Sequence, residues 1–566
     1  MRNVGRLRVL GFFVLAGGLV MMGADADGQE RSQTRSMVIS KGGIVASESP
    51  LASQAGVRIL ERGGNAVDAA IATNAMMGVV EPMMNGIGGD LFVIVYDAKA
   101  NKLYGLNASG WAPRGLTIEF LQKQGLKSMP QAGVHSITVP GVVDGWQKLA
   151  DKFGRKKLKE DLAAAIRTAQ EGFPVPEWDA AYWAAEVDLL RTDDAATSLY
   201  LPGDHAPHVG DVFKNPDLAA SLGQIAEHGR DAFYKGEISK KVLDAMKRHN
   251  GTMTAQDLAE YSSEWVEPIS TTYRDWTVYE MPPNGQGMAV LEMLNIMETF
   301  PLGEKDSGFG STKALHAMIE AKKLAYADMG KYLADPRGQR IPVATLISKE
   351  WAAQRAKLID EEKANCDVKA GEIPGGSDTT YLSVVDRDGN MVSLIQSNYS
   401  GFGSGIVPAG AGFVLHNRGG LFTLDPASPN ALAGHKRPRH TIIPGFAQKG
   451  ETRMAFGIMG GWNQAQAHAQ FIANIADFKM NIQAAVEAPR FTKYTFNGCD
   501  VEMENRFNGK VRDELTGKGH QIKVLGTFSS RVGGGQAVLR DFATGVNYGA
   551  SDPRKDGQAA AELPFD

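Results

Sequence analysis

An α+β fold with helices laid against sheet is what the sequence predicts, and three stretches carry that expectation. From Ser49 to Leu60, and again from Ala66 to Val79, small and apolar residues recur at helical spacing, which predicts two packed helices. The glycine-rich Asn85-Gly86-Ile87-Gly88-Gly89-Asp90 then runs into Leu91 to Tyr96, whose apolar content reads as a buried strand. Late in the chain come a β-branched and apolar run after Thr379, the turn signal Asp388-Gly389, and a second run from Met391 to Ser397. These predict two antiparallel strands joined by a tight turn.

Taken in order, Met1 to Arg8 carries three arginines, Val9 to Met22 is apolar, and Ala24-Asp25-Ala26 offers the small residues a signal peptidase reads. The apolar run is shorter than the roughly 20 residues that cross a bilayer, and no cysteine follows it to carry a lipid. The expectation is an export signal over 1–26 and a periplasmic or secreted protein without a later membrane span. The chain has 566 residues, 43% of them hydrophobic, enough for a large core. Net charge is −4, from 60 basic and 64 acidic side chains, with no concentrated basic surface for a nucleic-acid partner.

Two cysteines, Cys366 and Cys499, are too few for a disulfide scaffold or, by themselves, a tetrahedral metal site. Export would permit one bond between them, but Cys366 lies in a polar segment and both are expected to be free.

The glycines of 85–90 permit close backbone approach. They are no dinucleotide fingerprint, because the segment enters a strand and does not leave one for a helix. A short strand from Lys102 to Leu106 is expected next. Between Val139 and Tyr261 the pattern turns helical, with Leu158 to Gln170 clearly amphipathic and Thr254 placed as an N-cap with Asp257 three residues on. Thr271 to Glu280 reads as a strand, followed by a turn-rich Met281 to Gly287 and a long helix from near Met288. A further helix through His316 to Met329 holds His316 in an apolar setting, where it reads as structural, and no metal constellation is visible. Asp360 to Ser377 is polar and ends in Pro374-Gly375-Gly376-Ser377, as a surface connection does.

The hairpin allows two registers. A two-residue turn at Asp388-Gly389 sets Thr379 opposite Asn398, whereas a three-residue loop with Gly389 left-handed pairs Asp386 with Asn390 and sets Thr379 opposite Ser397. Asp388 suits either turn.

The run Asp378-Thr379-Thr380-Tyr381-Leu382-Ser383-Val384-Val385-Asp386-Arg387-Asp388-Gly389-Asn390 resembles the start of the small subunit of γ-glutamyltransferases, which are N-terminal-nucleophile hydrolases. The resemblance extends through Ser397, Gly401-Phe402-Gly403-Ser404-Gly405, Lys436-Arg437-Pro438, Gly460-Gly461 and Ser551-Asp552-Pro553-Arg554. Ahead of the threonine it takes in Gly63 to Ala70 and Asn85 to Asp90, and so covers nearly all of the chain after about residue 40. It implies a four-layer αββα sandwich built from both pieces of one precursor, 27–378 and 379–566, that stay together after the Asp378–Thr379 bond is cut. No cofactor is implied.

Chemistry explains why Thr379 must be terminal. A threonine hydroxyl is a weak nucleophile that needs a base, and a free α-amine, with a reference pKa of about 7.7–8.0, can take its proton directly or through water. Within the precursor the same nitrogen is an amide and is not basic. The family-like route to cleavage is attack of the Thr379 hydroxyl on the Asp378 carbonyl, an N-to-O acyl shift, and ester hydrolysis. By the same resemblance, Ser397 orients that hydroxyl, standing where a threonine is usual. Consecutive glycines Gly460-Gly461, between a strand Met454 to Ile458 and a helix Gln464 to Ile475, offer backbone N–H groups to an oxyanion.

Substrate positions are less regular. His440 and Thr441 occupy two positions, usually serines, that hold a donor carboxylate, and Arg114 is the candidate carboxylate-binding arginine. Tyr399 replaces a common asparagine. Asn417 matches, but Arg418 and Leu421 stand where polar or acidic groups bind the donor ammonium. Glutathione hydrolase and γ-glutamyltransferase activity is therefore the first expectation. An amidohydrolase or acylase for another small anionic amide is the second, and an inactive secreted binding scaffold the third.

Overall fold

The computed structural model describes residues 33–368 and 378–563. The expected signal at 1–26 and the connection at 369–377 lie outside the described residues. Two seven-stranded antiparallel sheets form the centre. The first runs, edge to edge, through Gln558–Ala561, Ile44–Ser47, Asp378–Val385, Met391–Tyr399, Asp90–Asp97, Lys102–Ala108 and Glu264–Val266. The second runs through Val38–Ser40, Val546–Ser551, Gly535–Asp541, Thr452–Ile458, Gly445–Lys449, Trp276–Glu280 and Ile269–Tyr273.

Strand periodicity makes the layers. Leu91, Val93 and Val95 point into the core shared with helices Pro50–Glu61 and Ala66–Val80. Their neighbours Phe92, Ile94 and Tyr96 point the other way, into an apolar layer between the sheets with Tyr381, Val385, Met391, Ile395, Phe446 and Val538. The far face of the second sheet is covered by helices Gly287–Met297, Thr312–Tyr332 and Asn463–Ala476. The result is the four-layer αββα sandwich. Both sides of Thr379 contribute to one sheet: Ile44–Ser47 lies between Gln558–Ala561 and Asp378–Val385.

Local signals place the helices. Asn65 caps Ala66–Val80, accepting from the Val67 and Asp68 amides while Asp68 accepts from the Asn65 amide, and Thr254 and Asp257 form the same reciprocal pair before Ala255–Ala259. Among the described residues no helix is long and apolar enough to cross a membrane.

Two expectations are corrected. The single strand expected over Thr271 to Glu280 is a hairpin, Ile269–Tyr273 and Trp276–Glu280, turned at Arg274, whose φ is +54°. Arg274 holds that turn by donating to Asp477 Oδ1 at 2.7 Å and to the carbonyls of Glu298 and Phe300. The cysteines are not free: Cys366 and Cys499 form a disulfide. The polar segment around Cys366 does not stand away from the body, because the Ala364 amide donates to Lys518 O at 2.8 Å and Lys323 Nζ to Asn365 O at 3.1 Å.

Candidate active site

The hairpin adopts the three-residue loop. Val385 pairs with Met391, the Asp386 amide donates to Asn390 O at 3.0 Å, and Gly389 has φ +88°, a left-handed value that costs glycine little. The ladder keeps this register to Thr380–Gln396 and then shifts, pairing Asp378 with Tyr399, so Thr379 sits in a bulge at the head of the strand. Its Oγ1 lies 3.1 Å from Ser397 Oγ, and both residues are fully buried. The Tyr399 amide donates to Ser397 Oγ at 2.7 Å, fixing that hydroxyl. Tyr399 has φ +78°, a backbone state that costs a bulky residue on the order of 1–3 kcal/mol. The glycine loop closes from the other side: a Cβ on Gly89 would stand 2.5 Å from Ser397 O.

Beneath this pair lies a charged network. Ser397 is opposite Asp90 in the ladder, and the Asp90 carboxylate accepts from Arg418 Nε at 2.9 Å, Arg418 Nη2 at 3.1 Å and His440 Nε2 at 2.6 Å. Burial alone would raise the Asp90 carboxyl, but Arg418 and His440 hold it well below the usual carboxylate range. Burial, reinforced by Arg418, pushes the His440 imidazole down to about 4, so it is neutral at neutral pH. Both its nitrogens are engaged, Nε2 by Asp90 and Nδ1 by the Ile442 amide at 3.3 Å.

Arg418 also donates to Thr441 Oγ1 at 2.7 Å and stands 4.8 Å from the centre of the Tyr399 ring. Its charge, of the wrong sign for an ammonium site, is thus balanced by Asp90. Burial raises the Tyr399 phenol to about 12. Leu421 is fully buried in apolar surroundings. Asn417 is used for framing: its Oδ1 accepts from the Ser400 amide at 3.1 Å and its Nδ2 donates to Gln131 O at 2.6 Å. Arg114 pairs with Asp257 at 3.1 Å and with Glu260, its side chain 40% exposed.

Gly460 and Gly461, with φ of +125° and +56°, join strand Thr452–Ile458 to helix Asn463–Ala476. Gly460 O accepts from the Asn463 amide at 2.9 Å and Gly461 O from Gln286 Nε2 at 2.9 Å. Among the described residues neither glycine amide donates to a backbone carbonyl, and both sit at the positive end of the helix. That strand faces the hairpin of Asp378–Val385 and Met391–Tyr399 across the sheet interface: Ser393 Oγ donates to Phe456 O at 3.3 Å, and a Cβ on Gly457 would stand 2.5 Å from the Tyr381 ring.

Gln286, which also donates to Thr441 O, ties the 440–443 segment to the glycine pair. Asp90 and Gln286 are site residues that sequence reasoning did not assign. Their one signal is position, each at the end of a glycine-containing turn.

His316 Nδ1 lies 2.8 Å from His520 Nε2, and with Glu320 these side chains bring possible metal-ligand atoms within 4.8 Å of one another. Glu320 already holds the Lys323 ammonium at 2.7 Å, so this cluster carries its own cation.

Two stacked antiparallel sheets between helical layers are the fold of the N-terminal-nucleophile hydrolases. The gamma-glutamyltranspeptidase family profile matches residues 52–562, and the chain belongs to that family. It is 36% identical to the glutathione hydrolase-like YwrD proenzyme of Bacillus subtilis, over 92% of this chain and 99% of that one. It is 32% identical to the oxamate amidohydrolase proenzyme of Klebsiella pneumoniae, over 92% and 99%. The crystal structure of cephalosporin acylase from Bacillus halodurans superimposes with a TM-score of 0.88 at 43% identity, covering 96% of this chain and all of that one.

Proposed function

We propose that this enzyme is a self-processing threonine hydrolase that cuts amides of small acidic acyl groups, γ-glutamyl amides such as glutathione among them. The 3.1 Å contact between the Thr379 and Ser397 hydroxyls carries the reading. Thr379 Oγ1 attacks the Asp378 carbonyl, the peptide C–N bond breaks as the ester forms, and water hydrolyses the ester, leaving Thr379 with a free α-amine and residue 378 with a carboxylate. That amine is then the base for the second use of the same hydroxyl: attack on a substrate carbonyl, loss of the amine leaving group, and hydrolysis of the acyl ester. The Gly460 and Gly461 amides stabilise the tetrahedral oxyanion in both steps.

The acidic acyl class rests on what surrounds the nucleophile. Arg418 and Leu421 supply no acceptor for an α-ammonium, and a buried ammonium without one is costly. Relatives acting on oxamate and on cephalosporins support an amide range wider than glutathione. The N-terminal pattern supports export to the periplasm or beyond, and the shared sheet supports two pieces, 27–378 and 379–566, held together.

Intact-mass analysis after denaturation and reduction, with N-terminal sequencing, tests the reading: two pieces that co-purify, the smaller beginning at Thr379. Thr379→Ala abolishes processing and turnover together, while Thr379→Ser keeps the hydroxyl and processes slowly. Normal processing and turnover in Thr379→Ala would overturn the assignment.

A further inference from the structure

The two sulfurs of the Cys366–Cys499 bond meet different surroundings. Cys366 is exposed, whereas Cys499, just ahead of strand Asp500–Glu504, is 2% exposed. Helix Thr312–Tyr332 lays Lys323 against the buried sulfur, with Nζ 3.5 Å from Cys499 Sγ. That ammonium also donates to Glu320 Oε1 at 2.7 Å and to Asn365 O at 3.1 Å, so the sulfur is the third neighbour of a three-donor group.

Two more buried lysines stand close by. Lys493 Nζ pairs with Asp500 at 2.7 Å, as Lys323 pairs with Glu320. Lys322 Nζ donates to Thr495 O at 2.9 Å and lies 3.9 Å from the centre of the Tyr326 ring. Among the described residues no carboxylate pairs with Lys322, so three lysines share two carboxylates. Burial, with Lys493 and Lys323 beside it, holds Lys322 well below the usual ammonium range. Burial and Lys323 push His520 down to about 3, so it brings no charge at neutral pH. An anion at Cys499 is what this cluster lacks.

Thiol–disulfide exchange has a direction when the two sulfurs differ. The attacked sulfur must be reachable, and the other leaves faster the better its thiolate is stabilised, as by a neighbouring lysine. Cys366 meets the first condition and Cys499 the second.

We propose that Cys366 is a covalent attachment site for a small cysteinyl thiol, which enters by exchange with the disulfide and expels Cys499 as a thiolate against Lys323. The incoming thiolate sulfur bonds to Cys366 Sγ, the Cys366–Cys499 bond breaks, and its electron pair stays on Cys499. The incoming sulfur is oxidised and Cys499 is reduced, so no other oxidant is needed. With the proton that the thiol gave up, the protein gains the mass of one whole thiol. The proposal uses neither Thr379 nor the acyl site and stands apart from the function proposed above.

The test exposes the native oxidised protein to glutathione or to cysteine, quenches with acid over a time course, and maps each sulfur by mass as disulfide, free thiol or adduct. The adduct is expected on Cys366 about tenfold over Cys499, with Cys499 recovered as a thiol, whereas in the urea-unfolded chain the two sulfurs share it within about twofold. Lys323→Met is expected to slow native exchange about tenfold, and Lys323→Arg, which keeps a cation, to restore it.

An adduct shared as in the unfolded chain, or found on Cys499, overturns the proposal. So does a bond that both thiols leave intact, or passage to the dithiol with no adduct at any time. Exchange in Lys323→Met within about twofold of wild type overturns the part given to Lys323. If Lys323→Met does not fold, Lys323→Gln replaces it, and the position of the adduct in wild type decides by itself.

Discussion

Replacing Ser397 by Ala removes one oxygen that serves two neighbours. It accepts from the Tyr399 amide at 2.7 Å and faces Thr379 Oγ1 at 3.1 Å. Losing the first leaves a buried N–H without its acceptor at a residue already held at positive φ, which costs about 1–3 kcal/mol of stability. Losing the second removes a neutral hydrogen bond worth about 1 kcal/mol in orienting the nucleophile, or roughly a five- to tenfold rate effect. On the proposed function one hydroxyl serves both self-cleavage and turnover, so both rates should fall by a similar factor while the fold persists. The assay is a processing time course of purified precursor by intact mass, paired with single-turnover acylation of the processed enzyme. Ser397→Thr, which restores the oxygen, should recover both rates. If Ser397→Ala processes and acylates within twofold of wild type, the hydroxyl pair has no orienting role.

Three further outcomes follow from the site. Unfolded His440 takes up a proton below about pH 6.5, whereas the folded residue, faced by Arg418, Asp90 and His416, does so only near 4. The unfolded state binds more protons in that window, so stability is present above it and falls by up to about 3 kcal/mol as pH drops from about 6.5 toward about 4. Urea midpoints should show a shallower pH slope in His440→Gln, and equal slopes would contradict this. Asp90→Asn removes the charge that balances Arg418 and should destabilise by about 3–5 kcal/mol, read as a lower urea midpoint; an unchanged midpoint would show that the network is not a stabilising pair. Finally, glutathione should show weak acyl transfer to a dipeptide and a relatively high KM, with glutaryl anilide at least comparable to γ-glutamyl anilide. If the desamino substrate is worse by about a hundredfold, roughly 2.7 kcal/mol, an acceptor for the ammonium exists and the glutathione assignment rises.

Local patterns carried much of the fold. Helical spacing located Pro50–Glu61 and Ala66–Val80 to within a residue or two, and the hairpin was legible as one of two registers that only the Asp386–Asn390 pairing could separate. The Arg274 turn was hidden because apolar and β-branched residues continue on both sides of it, and its stabilising partners, Asp477 and Glu298, lie far along the chain. Distance in sequence also hid the charged floor. Arg418 read alone is a cation where an anion is expected, and its meaning changes once Asp90, 328 positions away, is seen to hold it. The cysteine pair was illegible for the same reason: a separation of 133 residues gives no periodicity to read.

That disulfide alters what cutting the chain would mean. Cys366 precedes the proposed scissile bond and Cys499 follows it, so Thr379 lies on a covalent ring that the sulfur bridge closes. Hydrolysis at Asp378–Thr379 opens the ring without releasing a piece. The oxidised molecule gains one water and remains a single species in a non-reducing gel, coming apart into two only when denatured with a thiol. The threonine amine and the carboxyl end freed by such a cut could separate from each other while neither piece could diffuse from its partner, so on the proposed function maturation is an event of connectivity within one molecule, independent of protein concentration.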